Sequence, residues 1–212
     1  MDQTNKVYDE EGISKIEYSG ERKKVFLIGD SICIGYRPFV KQALANVFDV
    51  TYPNVNCRNT QFVLTSLRGW SAMFENPSTV AVVGFNCGHW DIAHWNRDEE
   101  SLTPEKEYAH NLKRIIKNLR QFFPMAKLIF FTTTPANSDW PDTVINPRTN
   151  DEIEKYNLTA TSVAEEENVI VKDLYQLAQS FGNDCYQDYV HFTEKYCEKL
   201  GEYVTKSILS VM

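Results

Sequence analysis

No run in this chain approaches the ~20 apolar residues that would span a bilayer. The polar, mixed-charge start from Met1 to Arg22 also lacks the apolar core of a secretory signal. Together these absences predict a cytoplasmic protein with no membrane span. The five cysteines, Cys33, Cys57, Cys87, Cys185 and Cys197, are odd in number and include no C-x-x-C pair, which argues against both a disulfide framework and a zinc knuckle. Concentrated positive charge is missing as well. With 22 Lys+Arg against 29 Asp+Glu, a formal charge of −7 and a pI near 5.2, a polyanion such as nucleic acid is disfavoured as a partner. No Gly/Ser/Pro-rich linker or composition shift divides the 212 residues, so a single domain is expected over 23–212, preceded by a loosely packed extension over 1–22.

What is present is ample apolar material, 42% of residues with 13% aromatic, enough for a layered core that needs no covalent staple. Its pattern is strand alternating with helix. Val25-Phe26-Leu27-Ile28 is a continuous apolar run suited to a central parallel strand, and it stops at Gly29-Asp30-Ser31. Apolar pairs from Phe39 to Phe48 predict a helix over about 37–48, with Pro38 in its first turn. A short strand is expected over 49–52 and a helix through Phe62, Val63, Leu64 and Leu67, ended by Gly69. Residues 79–86 read as a buried strand, and a helix follows over about 103–123 with the stripe Tyr108, Leu112, Ile115, Ile116 and Leu119. Then come a strand over 127–134, a helix over about 151–167 packed through Ile153, Tyr156, Leu158 and Val163, a short strand over 169–171, and a final helix from about Thr193. Five strands alternating with helices predict an α/β fold: a three-layer α/β/α domain around a doubly wound, flavodoxin-like parallel sheet. No glycine-rich phosphate loop follows the first strand, which disfavours a flavodoxin-like nucleotide binder.

Ligands of such sheets bind beyond the carboxyl ends of the strands. The first strand delivers Ser31 there, and this serine is either a nucleophile or only a helix cap. Near the other end of the chain, Asp188 and His191 lie three residues apart, a spacing that lets a carboxylate reach the imidazole Nδ1 while Nε2 faces away. Serine at its ordinary pKa is a poor nucleophile and needs such a base and orienter.

Three blocks in order then carry a resemblance. Gly29-Asp30-Ser31-Ile32, Gly84-Phe85-Asn86 and Asp188-Tyr189-Val190-His191, the last just before a terminal helix, resemble the motifs of the SGNH, or GDSL-type, hydrolase superfamily of esterases and acyl hydrolases. The resemblance spans roughly Val25 to Ile208. It implies Ser31 as nucleophile, His191 as general base and acid, Asp188 as its orienter, and an oxyanion hole from the Ser31 N–H and the Asn86 amide. It departs at the second block, where the family supplies a glycine N–H and this chain has Asn56-Cys57-Arg58-Asn59-Thr60. Arg58 or Asn59 is expected to supply that donor, since a backbone N–H does not itself require glycine.

The loop after Asn86 carries His89, Asp91 and His94, whose spacing matches no helical H-x-x-x-H face, so no metal and no cofactor is assigned. Trp90 and Trp95 offer flat faces to a sugar ring or an acyl chain, or else simply pack the loop. Together with Asp30 they are the substrate-binding candidates. No broad apolar entrance stands out, and the loops 87–102 and 136–150 are polar. The expected substrate is therefore a small polar ester, an acetylated carbohydrate foremost. A lipid acyl hydrolase or thioesterase is the alternative enzyme, and a non-catalytic binding module the alternative of another class. Oligomeric state is left open.

Overall fold

The computed structural model describes residues 22–212, so the extension expected over 1–22 lies, but for Arg22, outside the described residues. Five strands, β1 (Lys24–Ile28), β2 (Asp49–Thr51), β3 (Val80–Phe85), β4 (Lys127–Phe131) and β5 (Ile170–Lys172), form one sheet in the order β2-β1-β3-β4-β5. All four pairings are parallel. The sheet is the doubly wound one expected, and its strand order reverses between β1 and β3, where the carboxyl ends open a crevice.

Alternation along the central strand divides the core in two. Phe26 and Ile28 of β1 face one layer, built on α2 (Thr60–Ser71), α4 (Glu105–Phe122) and α5 (Asn150–Glu166), with Trp70, Tyr108 and Phe123 fully buried in it. Val25 and Leu27 face the other, built on α1 (Ser31–Leu44), α6 (Leu174–Gln179) and α7 (Glu194–Leu209). A buried Phe or Leu side chain contributes ~1.5–3 kcal/mol, so both faces of β1 hold the sheet centre firmly. A short helix α3 (His89–Ile92) follows β3.

Several boundaries differ from the sequence reading, each for a local reason. α1 starts at Ser31, not near Arg37, because the Asp30 side chain caps it, and Pro38 consequently lies inside the helix. Periodicity missed this first turn and a half because its apolar residues share the turn with the site. Gly69 lies inside α2, whose C-cap is Ala72. α4 starts at Glu105, not 103, with Pro104 as its N-cap. β4 stops at Phe131, since Thr132, Thr133 and Thr134 turn to side-chain partners. Leu158 is 73% exposed and takes no part in packing α5, where Ile153, Tyr156 and Val163 do. α6 had no counterpart in the reading, being only six residues long. Among the described residues no helix is long and apolar enough to cross a membrane.

Candidate active site

Ser31 is set by the residues just before it. A Cβ on Gly29 would stand 2.0 Å from Asn86 Oδ1 and 2.5 Å from Cys33 Cβ, so the chain passes there only as glycine. Asp30 Oδ1 then accepts the Ile32 N–H at 3.0 Å, a cap worth ~1 kcal/mol that fixes where α1 begins. The serine therefore opens the helix with its hydroxyl at the crevice. Asp30 was expected at the substrate. Instead it is fully buried as this cap, an orientation forced by its bond to Ile32 that brings it to no approaching ester. Burial pushes its carboxyl up from the ordinary value, against the bond from Ile32, the Asn86 amide and the charge of Arg148.

The segment between α6 and α7 folds back on itself through an antiparallel bridge between Tyr186 and Phe192 and a Gln187 N–H bond to the His191 carbonyl at 2.7 Å. Within that turn Asp188 Oδ1 accepts the Val190 and His191 N–H groups at 3.0 and 2.9 Å. The His191 Nδ1 lies 2.7 Å from Asp188 Oδ2 and 2.9 Å from Oδ1. Burial disfavours the Asp188 carboxylate, but these N–H bonds and the imidazole outweigh it and hold its pKa below the ordinary value. An ionised carboxylate only accepts, so Nδ1 carries a proton, and in the neutral imidazole Nε2 is bare. The Ser31 hydroxyl, 2.7 Å away, is then the donor to Nε2. Residues 160 positions apart thus form one continuous relay, Ser31 to His191 to Asp188.

Asn86 stands at the end of β3, buried, with its N–H on the Ile28 carbonyl at 3.0 Å and its amide oxygen against Gly29. Its NH2 end acts on the Asp30 carboxyl. The next residue is pinned too: the Cys87 carbonyl accepts from the Tyr108 hydroxyl at 2.8 Å and from Thr133 Oγ1 at 3.3 Å. Gly88 passes so close that a Cβ would stand 1.9 Å from Thr133 Oγ1. The backbone that carries the Asn86 amide is thereby fixed, which is what a donor to developing negative charge requires.

The second-block loop is tied to the same place by the Cys57 N–H, which donates to the Gly29 carbonyl at 3.1 Å. Arg58, in the loop where the family pattern has a glycine, adopts φ 51°, a left-handed conformation that costs a residue with a Cβ ~1–2 kcal/mol. Its N–H donates to Asn56 Oδ1 at 2.9 Å, so in this state it is already engaged. Asn59 caps α2 by accepting the Phe62 N–H at 3.0 Å. Both residues expected to supply the donor thus sit in one loop tied to Gly29. The Asn59 backbone N–H, unlike that of Arg58, makes no hydrogen bond to a described residue.

Trp90 and Trp95 pack on each other with ring centroids 4.9 Å apart, and the Arg58 guanidinium lies 5.9 Å from Trp90 and 4.9 Å from Phe62. The two tryptophans therefore gather beside the loop that carries Arg58. Neighbouring His and Asp side chains go to separate partners: His89 Nε2 lies 3.1 Å from Thr134 Oγ1, Asp91 accepts from the Thr60 hydroxyl at 2.7 Å and N–H at 3.0 Å, and His94 Nε2 meets Glu152 at 2.7 Å. Asp91 thereby ties the first turn of α2 to α3, and burial pushes its carboxyl up to about 6. Burial, with the charge of Arg148 and His191, keeps His89 well below the ordinary imidazole value, hence neutral. Among the described residues no group of three or more His, Cys, Asp or Glu could hold a metal.

Arg148 escaped the sequence reading. Its Nη1 donates to the His89 carbonyl at 2.6 Å and its N–H to the Tyr189 hydroxyl at 3.0 Å, joining the loop after β3 to the segment that holds Asp188 and His191. A signal was available: Thr149 and Glu152, directly after it, form a capping box that fixes the start of α5. Elsewhere the polar loops expected to frame Ser31 are knitted together by the His94 N–H on the Pro147 carbonyl and by Arg97 with Asp142.

The polar loops are not the whole frame of Ser31. An apolar cleft of about 500 Å³ opens between α1 and α7, with Ser31 and His191 on its wall and Ile34, Pro38, Phe39, Phe192 and Cys197 lining it. It was hidden because its residues are scattered over two helices at opposite ends of the chain and the turn before the second, and make no apolar run.

A doubly wound α/β sheet with a serine, an imidazole and a carboxylate hydrogen-bonded in series at its carboxyl edge defines a hydrolase of the α/β/α class. More narrowly, residues 27–196 match the model of the GDSL-like lipase/acylhydrolase family, and the chain belongs to that family. Solved structures with the same fold include an acetyl xylan esterase (16% identity, TM-score 0.71, covering 87% of this chain and 99% of that one). A lipase/acylhydrolase from Enterococcus faecalis is similar at 22% identity and TM-score 0.69, covering 89% of this chain and 95% of that one. A carbohydrate acetylesterase from Sinorhizobium meliloti is similar at 12% and 0.67, covering 91% and 100%. No curated protein matches the chain in sequence.

Proposed function

We propose that this protein is a serine carboxylic-ester hydrolase that removes a small acyl group, acetyl foremost, from a polar ester through an acyl-Ser31 intermediate. The observation that carries the reading is the relay from Ser31 Oγ through His191 to Asp188, each step at 2.7 Å. In the first half-reaction Ser31 Oγ bonds to the ester carbonyl carbon as its proton passes to His191 Nε2. The carbonyl electron pair moves to the oxygen, where the Asn86 amide and the Ser31 N–H stabilise it, with Asn59 or Arg58 in the role that glycine has in the family. Collapse breaks the bond to the alcohol oxygen, which leaves with the proton from Nε2. Water then repeats the sequence on the acyl-serine and releases the carboxylic acid. No metal or cofactor enters any step.

An acetylated carbohydrate is favoured by the polar loops and by the paired Trp90 and Trp95, and two neighbours in fold are named for carbohydrate acetyl esters. The apolar cleft between α1 and α7 supports a second reading, a longer acyl chain or a bulky apolar alcohol, because its volume far exceeds an acetyl group. One experiment tests both. A serine-directed phosphonate should add a single label, on Ser31 by mass spectrometry, and abolish hydrolysis of p-nitrophenyl acetate. A label elsewhere with activity lost would sink the nucleophile assignment. A kcat/KM that rises from acetate through butyrate to octanoate would move the reading to the longer chain.

A further inference from the structure

We infer that the ester this site accepts carries a negatively charged group, a carboxylate, read by Arg58 beside the oxyanion loop. The inference rests on the esterase reading and deepens it. Arg58 holds φ 51° where glycine would sit without strain, so the side chain, not the backbone, accounts for the residue. Its guanidinium is exposed, yet it is supported by the Phe62 and Trp90 rings at 4.9 and 5.9 Å. Aromatic faces fix the plane of a guanidinium while leaving its N–H edge free for a carboxylate. Among the described residues Arg58 ion-pairs with no carboxylate, although Arg97 and Arg120 each have one. Its place is set by the neighbouring Cys57 N–H on the Gly29 carbonyl, two residues before Ser31.

The sign of the expected effect is diagnostic, because a chain of net charge −7 should otherwise repel an anionic substrate. The test compares matched esters: 4-acetoxybenzoate against its methyl ester, for a charge on the alcohol side, and p-nitrophenyl hydrogen glutarate against p-nitrophenyl valerate, for a charge on the acyl side. Each ratio is normalised to hydroxide-catalysed hydrolysis. In at least one pair the anionic member should be preferred in kcat/KM by about tenfold at low ionic strength, and the preference should shrink as salt is added. Arg58→Gly, compatible with the left-handed backbone, should abolish the preference, and Arg58→Lys should retain part of it, whatever either does to the absolute rate.

No anionic preference in either pair, or a preference that survives Arg58→Gly in a protein of unchanged melting temperature, would overturn the inference while Ser31-dependent hydrolysis of the neutral esters left the esterase reading standing. Should no ester be turned over, the esterase reading fails. The anion site is then read by quenching of Trp90 fluorescence with benzoate and benzamide, saturable quenching by benzoate alone and lost in Arg58→Gly supporting it, and equal or absent quenching refuting it.

Discussion

Two surfaces lie near the start of α1, and they are built in different ways. The cleft between α1 and α7 is made of helical side chains, Ile34, Pro38 and Phe39 from one helix and Cys197 from the other, that continue the core out to the nucleophile. The opposite kind of surface, around Arg58, Trp90 and Trp95, is made of loops and short helices held by two named bonds, Cys57 to Gly29 and Asp91 to Thr60, with Arg58 in a left-handed backbone. A helical wall can offer shape and apolar area, worth ~0.8 kcal/mol per methylene. A loop wall can offer charge and direction. Discrimination by charge and hydrogen bonding is the sharper of the two, since an unpaired polar group costs more than a missing methylene.

The largest expected effect belongs to the loop side. Replacing Asn86 by Ala should lower kcat by about a hundredfold with little change in KM or melting temperature, because in the proposed mechanism its amide acts on charge that develops only in the transition state. An unchanged kcat would remove Asn86 from the oxyanion site and with it the claim that this side carries the chemistry.

Next comes the helical side. Ile34→Trp should fill the cleft and lower kcat/KM on p-nitrophenyl octanoate by about tenfold while acetate changes less than about threefold. Equal losses on both esters would mean that the cleft is not where an acyl chain lies, and the contrast between the two walls would fail on its apolar side.

The smallest effect is on stability, and it isolates the tether of the loop wall. Burial raises the Asp91 carboxyl from 3.8 to about 6, so the folded state holds this proton more tightly than the unfolded chain does. The sign follows: stability falls as pH rises from about 3.8 to about 6 and the loss is constant above that. Asp91→Asn cannot titrate, and its amide oxygen can still accept from Thr60. The melting temperature of the wild type minus that of Asp91→Asn should therefore drop by a few degrees between pH 4 and pH 7. A flat difference curve would show that Asp91 is not strained by burial there.

Much of this was legible in the chain. The apolar run Val25 to Ile28 can only be a strand covered on both faces, and it is buried throughout. The stripe on α4 from Tyr108 to Leu119 is buried as its period requires. Such features depend on neighbours in sequence, and local periodicity reads them directly. Likewise the three-residue spacing of Asp188 and His191 determined that one carboxylate could reach Nδ1, because the turn that joins them is short. Tertiary structure decided what depends on distant groups meeting. It brought His191 to Ser31, buried Asp30 as a cap, seated Arg148 between two loops and opened a cleft from two helices at opposite ends of the chain. Asp30 illustrates the reason: whether a carboxylate faces water or a helix N-terminus depends on what covers it, and Asn86 and Arg148, which bear on it, are 56 and 118 residues away.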